Sequence, residues 1–213
     1  MRFNTALLLP LAVSATPLTT SSTGPDPSQI TIAQTSFSGN GCPQGTVSTS
    51  YSTDKTLVTF GFDSFQTYIG PGTTVADHSK NCQLHLTLNY PGGFQYSLVD
   101  STYHGYAQMD TGVTGTFYST YYFSQDASAT ATTTAVLTGG GLLAAGQVYT
   151  KEDILPTASI IWSPCGAQGI LNINNRVALT SANTSASGQV TDDDATVAFT
   201  QQMHLQWQPC TKK

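Results

Sequence analysis

Between Cys82 and Tyr90 apolar and polar residues alternate without a break. Cys82, Leu84, Leu86, Leu88 and Tyr90 fall on one side of an extended chain, and Gln83, His85, Thr87 and Asn89 on the other. Successive side chains of a strand point to opposite faces, so this period of two predicts a strand with one face in a core and one toward water. The C-terminal segment repeats the pattern, with Val197, Phe199, Met203, Leu205 and Trp207 inward against Ala198, Thr200, Gln202, His204 and Gln206. Further strands are expected over residues 45–51, 57–62, 94–99, 103–110, 115–124, 160–162 and 170–179. Turn signals such as Gly70-Pro71-Gly72, Tyr90-Pro91-Gly92-Gly93 and Ser163-Pro164-Cys165-Gly166 bound them. Only residues 151–155 are expected to form a helical turn. Short strands at this spacing predict an all-β fold, an antiparallel β-sandwich or partly closed barrel.

The N-terminus follows different rules. Arg2, an apolar run dominated by Leu7, Leu8, Leu9 and Leu11, and the small residues Val13-Ser14-Ala15 make residues 1–15 read as a cleavable signal peptide. The run is shorter than the ~20 apolar residues a membrane span needs, and no later segment reaches that length. Residues 16–29 are rich in Ser, Thr and Pro, lack the apolar side chains a core requires, and are expected to stay extended. Residues 30–213 are then expected to form a single domain.

Export gives the cysteines their meaning. Cys42, Cys82, Cys165 and Cys210 are an even set in an oxidising compartment, which favours two disulfides in one of three pairings. Cys42 with Cys82 and Cys165 with Cys210 is the preferred pairing, since each closes a loop of about 40 residues worth roughly 4 kcal/mol in chain entropy. The net charge is −5, more negative by one without Arg2. The basic residues Lys55, Lys80, Lys151 and Arg176 stand singly, so the clustered basic face that nucleic acid demands is missing.

Catalytic patterns are sparse. A glycosidase needs two carboxylates about 5 to 9 Å apart. Glu152 is the only glutamate, and the candidate aspartates Asp63, Asp100 and Asp110 are better read as solvated or turn-capping groups than as a catalytic pair. No Gly-x-Ser-x-Gly elbow marks a serine hydrolase. Cys165 beside Trp162, with His104 or His204 as base, is better explained as half of a disulfide. His78, His85, His104 and His204 show no metal-ligand spacing, although His85 and His204 would meet if their strands were neighbours. Asp192-Asp193-Asp194 lacks the alternating ligands and glycine of a calcium loop. No cofactor or metal is expected.

Surface chemistry offers more. Tyr118, Tyr121, Tyr122 and Phe123 cluster in one segment, and Tyr103 and Tyr106 in another. Outward tyrosines stack on sugars or anchor a protein, and inward ones fill the core. Residues 137–146 present Leu142 and Leu143 between glycines, where they either tuck onto the sandwich or insert into a partner. Residues 181–195 carry the only N-glycosylation sequon, Asn183-Thr184-Ser185.

Taken in order, Gly41-Cys42-Pro43, Asn81-Cys82-Gln83-Leu84, Tyr90-Pro91-Gly92-Gly93-Phe94, Tyr103-His104-Gly105-Tyr106-Ala107, Tyr121-Tyr122-Phe123, Trp162-Ser163-Pro164-Cys165-Gly166 and Leu171-Asn172-Ile173-Asn174 resemble the secreted, mainly fungal domain of unknown function 4360 family. The resemblance spans roughly residues 37–210. It implies an exported β-rich domain with these four cysteines and a filamentous fungal source, and supplies no catalytic residues.

The sequence-level expectation for function is a secreted, non-enzymatic binding protein. Foremost is a fungal effector acting on a host or competitor protein, such as an apoplastic protease or other hydrolase. A cell-wall glycan-binding or structural module is the first alternative, and a hydrolase with an aspartate-based site the second.

Overall fold

A computed structural model describes residues 24–166, 168–191 and 199–210. The signal-peptide residues, most of the Ser/Thr/Pro tract, the triple aspartate and Val197 lie outside the described residues.

The described residues form twelve strands in two antiparallel sheets. Five strands make the first sheet, in the order β1 (Thr31–Ser38), β5 (Ser79–Asn89), β10 (Gln168–Ser181), β7 (Val113–Phe123) and β8 (Asp126–Thr138). The second is built on the long β6 (Phe94–Met109). One edge of β6 pairs with β9 (Gln147–Ile154); along the other, β12 (Phe199–Pro209) and β11 (Gly188–Thr191) follow end to end. Outside them lie β3 (Leu57–Phe62) and β2 (Val47–Tyr51) on the β12 side, and β4 (Thr67–Ile69) on the β11 side. The sheets face each other as an open sandwich.

The predicted alternation sets the packing. Leu84, Leu86 and Leu88 are at most 2% exposed and belong to one core with the inward rows of β7, β10 and β12. Two aromatic clusters bridge the layers: Phe62, Phe65, Phe117 and Phe199 with Tyr103, and Tyr90, Tyr96 and Phe123 with Trp207. The disulfides are Cys42–Cys82 and Cys165–Cys210, closing 40 and 45 residues.

Four expectations are corrected. Residues 160–162 form no strand, because Pro156 and Pro164 bracket them and the Ile161 carbonyl accepts from Ser97 Oγ instead of a ladder amide. Residues 151–155 make no helical turn: Lys151 to Ile154 finish β9, opposite Tyr103 to Asp100. The two strands expected over 94–110 are one, carried past residue 99 by a register shift against His204 and Leu205. The glycine loop over 137–146 is shorter than expected, since β8 runs to Thr138 and a single helical turn, α1 (Leu142–Ala145), follows.

Candidate functional site

The outer face of the first sheet collects the side chains the period-two pattern sends outward. Odd-numbered residues of β5 and even-numbered residues of β10, β7 and β8 share this face. One row crosses four strands as His85, Asn172, Tyr122 and Thr130; the next as Gln83, Asn174, Thr120 and Thr132; the third as Asn81, Arg176, Tyr118 and Thr134. Tyr118 and Tyr122 are four residues apart on one strand, hence about 13 Å apart on the same face.

These groups are held in place. Asn172 is 3% exposed and uses its whole amide: Oδ1 meets His85 Nδ1 at 2.5 Å, and Nδ2 donates to Ser124 Oγ at 2.8 Å. Gln83 Nε2 reaches Tyr122 Oη at 3.5 Å, a long contact. The Arg176 guanidinium lies 6.0 Å above the Tyr118 ring, while its Nε donates to Ser79 Oγ. Across the five strands the only carboxylate is Asp126, at the first residue of β8. Ser128 and the Ala129 amide hydrogen-bond it and hold its pKa below the usual carboxylate value. The face is therefore rich in amides, hydroxyls and tyrosine rings, with Arg176 within it and Asp126 at its edge as the charged groups.

The other surfaces differ. At one end of the second sheet a cavity of about 310 Å³ is lined by Tyr68, Gln108, Asp110, Ser187 and Gln189. Asp110 Oδ2 already accepts from the Ser187 amide at 2.8 Å. The sequence pointed to the Gly70-Pro71-Gly72 turn at its rim and to Asp110; the outward row of Tyr68, Gln189 and Gln108 comes from pairing of β4, β11 and β6. A larger groove of about 470 Å³ beside Pro25, Pro27, Val99, Leu205 and Trp207 is mostly apolar, and the Trp207 indole is committed to the Lys55 carbonyl.

The candidate catalytic groups do not converge. Asp100 pairs with His204 on the open outer face of the second sheet, and Asp110 follows the far end of β6, about 30 Å away. Asp63 follows the end of β3, its amide bonded to the Thr46 carbonyl. His85 and His204 stand on the outer faces of different sheets and do not meet. His104 Nδ1 is bonded to Thr150 Oγ1. Cys165 is in its disulfide. Among the described residues no three potential metal ligands cluster, and no helix is long and apolar enough to cross a membrane.

The two leucines of the glycine loop separate: Leu142 is 75% exposed, whereas Leu143 packs against the core. The tyrosines divide likewise, with Tyr103 and Tyr121 inside and Tyr118 and Tyr122 outside. Asn183 is exposed in the turn between β10 and β11.

The model of the domain of unknown function DUF4360 matches residues 28–210. The chain belongs to this family. An uncharacterized secreted protein of Arthroderma benhamiae is 43% identical over 187 residues, covering 88% of this chain and 74% of that protein. Two solved structures are distantly similar. One is TmCBM61 in complex with β-1,4-galactotriose (TM-score 0.23, 12% identity, 82% of this chain and 89% of that one). The other is the enzymatically active domain of the bacteriophage CBA120 tailspike protein 4 (TM-score 0.26, 14% identity, 89% of this chain and 21% of that one). At those scores neither likeness decides fold or function. The motifs that resembled DUF4360 in the sequence thus lie in a shown family, and the secreted relative agrees with the export expected from residues 1–15.

Proposed function

We propose that this DUF4360 protein is an extracellular module that binds a neutral polysaccharide along the outer face of its first sheet. One observation carries the reading: the strand register brings Tyr118 and Tyr122 onto one face with Gln83, Asn174 and rows of threonine, where the charged groups are Arg176 and, at the edge, Asp126. A pyranose offers a C–H face that stacks on an aromatic ring and a rim of hydroxyls that pair with amides and hydroxyls. An uncharged polyol needs no counter-charge, in keeping with a chain only 9% charged. The amides lie on paired strands, so little backbone entropy is lost when a chain binds. Secretion places such a face against cell-wall or matrix glycan.

Co-sedimentation with insoluble chitin, β-glucan and cellulose tests this. The mature protein is expected in the pellet with at least one of them, and Tyr118→Ala/Tyr122→Ala in the supernatant with an unchanged circular dichroism spectrum. Equal partition of both proteins with every polymer contradicts it.

A second reading, the effector that engages a host or competitor protein such as an extracellular hydrolase, draws on Leu142. Its side chain stands on a turn framed by Gly140, Gly141 and Gly146, all at positive φ. Loss of protease activity in extracellular fluid on adding the protein, abolished by Leu142→Asp, would favour this reading. Of the other exposed apolar residues, Val75 and Val136 lie on separate elements, and Val148 and Ile154 stand six residues apart on β9, about 20 Å.

A further inference from the structure

Asn183 opens the only sequon, and its turn arranges the side chain in a particular way. Its Oδ1 accepts from the Ser185 amide at 3.0 Å, while its own amide N–H donates to Ser181 Oγ at 3.1 Å. The carbonyl side of the side chain is thus occupied, and Nδ2, the group that is glycosylated, is exposed with no partner among the described residues. Asn183 also forms part of the rim of a cavity of about 220 Å³, lined further by Ile69, Thr73, His78, Ser181 and Thr184.

We infer that Asn183 carries an N-linked glycan whose first acetamido sugar seats in this cavity. In the transfer, Nδ2 bonds to the anomeric carbon of a lipid-diphosphate-linked oligosaccharide, the bond from that carbon to the diphosphate oxygen breaks with its electron pair going to that oxygen, and the one proton lost by the amide passes to solvent. The lipid diphosphate leaves. The sugar emerges directly at the mouth of the cavity, and Ile69 gives its C–H face an apolar contact. Thr73 Oγ1 donates to the Gly70 carbonyl at 2.7 Å and therefore accepts from His78 Nε2 at 3.0 Å.

The wall is firm. Gly70 sits at φ +138°, and a Cβ there would come within 3.0 Å of the Ser187 backbone, so the turn is closed against the start of β11. The same turn separates this cavity from the 310 Å³ one, so a seated sugar braces the wall they share.

The test secretes the full chain from a eukaryotic host beside Ser185→Ala, which removes the sequon but keeps the Asn183 side chain and the Ser185 amide that orders it. Intact mass is expected to show one oligosaccharide on the parent and none on the variant. Enzymatic trimming to a single N-acetylglucosamine is expected to leave Tm unchanged, whereas Ser185→Ala lowers it by about 3 °C. A parent of bare polypeptide mass overturns the modification. A glycosylated parent that melts together with Ser185→Ala overturns the seat.

Discussion

Asn175 on the first sheet donates its side-chain amide to Gln201 Oε1 on the second, at 2.5 Å across the middle of the sandwich. Gln201 is fully buried, and its own amide faces Ser101 Oγ at 2.9 Å, Ser119 Oγ at 3.2 Å and Tyr121 Oη at 3.3 Å. Ser119 Oγ donates to Asn175 Oδ1 at 2.6 Å and meets Tyr103 Oη at 2.5 Å. An unpaired buried amide costs about 1–3 kcal/mol per lost partner, so this network tolerates one alignment of the two sheets and penalises a slip of either.

Gln201→Leu strands Asn175 Nδ2 and is expected to destabilise the fold by about 2–4 kcal/mol, read as a lower urea midpoint. Asn175→Leu/Gln201→Leu removes both partners and should cost less than the two single changes added. Additive losses would mean that the two amides do not depend on each other.

Buried tyrosines set the alkaline limit. Burial pushes Tyr51 up to about 12, and holds Tyr96, Tyr121 and Tyr149 well above the ordinary tyrosine value. A folded pKa above the unfolded one means the native state holds its proton more tightly. This stability is complete below pH 10 and is lost as pH rises from 10 through 12. The urea midpoint should be flat from pH 8 to 9.5 and fall steeply above pH 10.5. A midpoint unchanged at pH 11.5 would show these rings ionising without unfolding.

Asp153 on β9 accepts from the Thr134 amide on β8, joining the edges of the two sheets where an unpaired strand would otherwise be open. Asp153→Ala should cost about 1–2 kcal/mol and increase self-association at high concentration, since β8 regains a free amide. Light scattering at matched concentrations checks this; an unchanged particle size and midpoint would contradict it.

How legible was this in the residues? Where alternation was strong the strands followed: β3 lies where Val58, Phe60 and Phe62 alternate with small residues, and β5 holds every inward leucine in the core. β8 escaped notice because its inward row is Ala131, Thr133, Ala135 and Leu137, small or polar for most of its length, against outward threonines. Gln201 interrupted the inward row of β12 and looked like noise, because a buried amide is recognisable only once Asn175, Ser101 and Ser119 are seen around it. The outward tyrosines were visible as a cluster. Which of them faced out, and that Gln83 and Asn174 share their surface, depends on the pairing of β5, β10 and β7, which lie far apart in sequence.

Titrating the isotope-labelled protein with soluble oligosaccharides of the polymer it sediments with tests the proposed face most directly. Perturbed NMR signals are expected at Gln83, Asn174, Tyr118 and Tyr122, with Tyr118→Ala weakening binding about tenfold, equivalent to about 1.4 kcal/mol. Perturbations confined to Tyr68, Gln108 and Gln189, or absent throughout, would contradict the assignment of the first sheet's outer face as the glycan-binding surface.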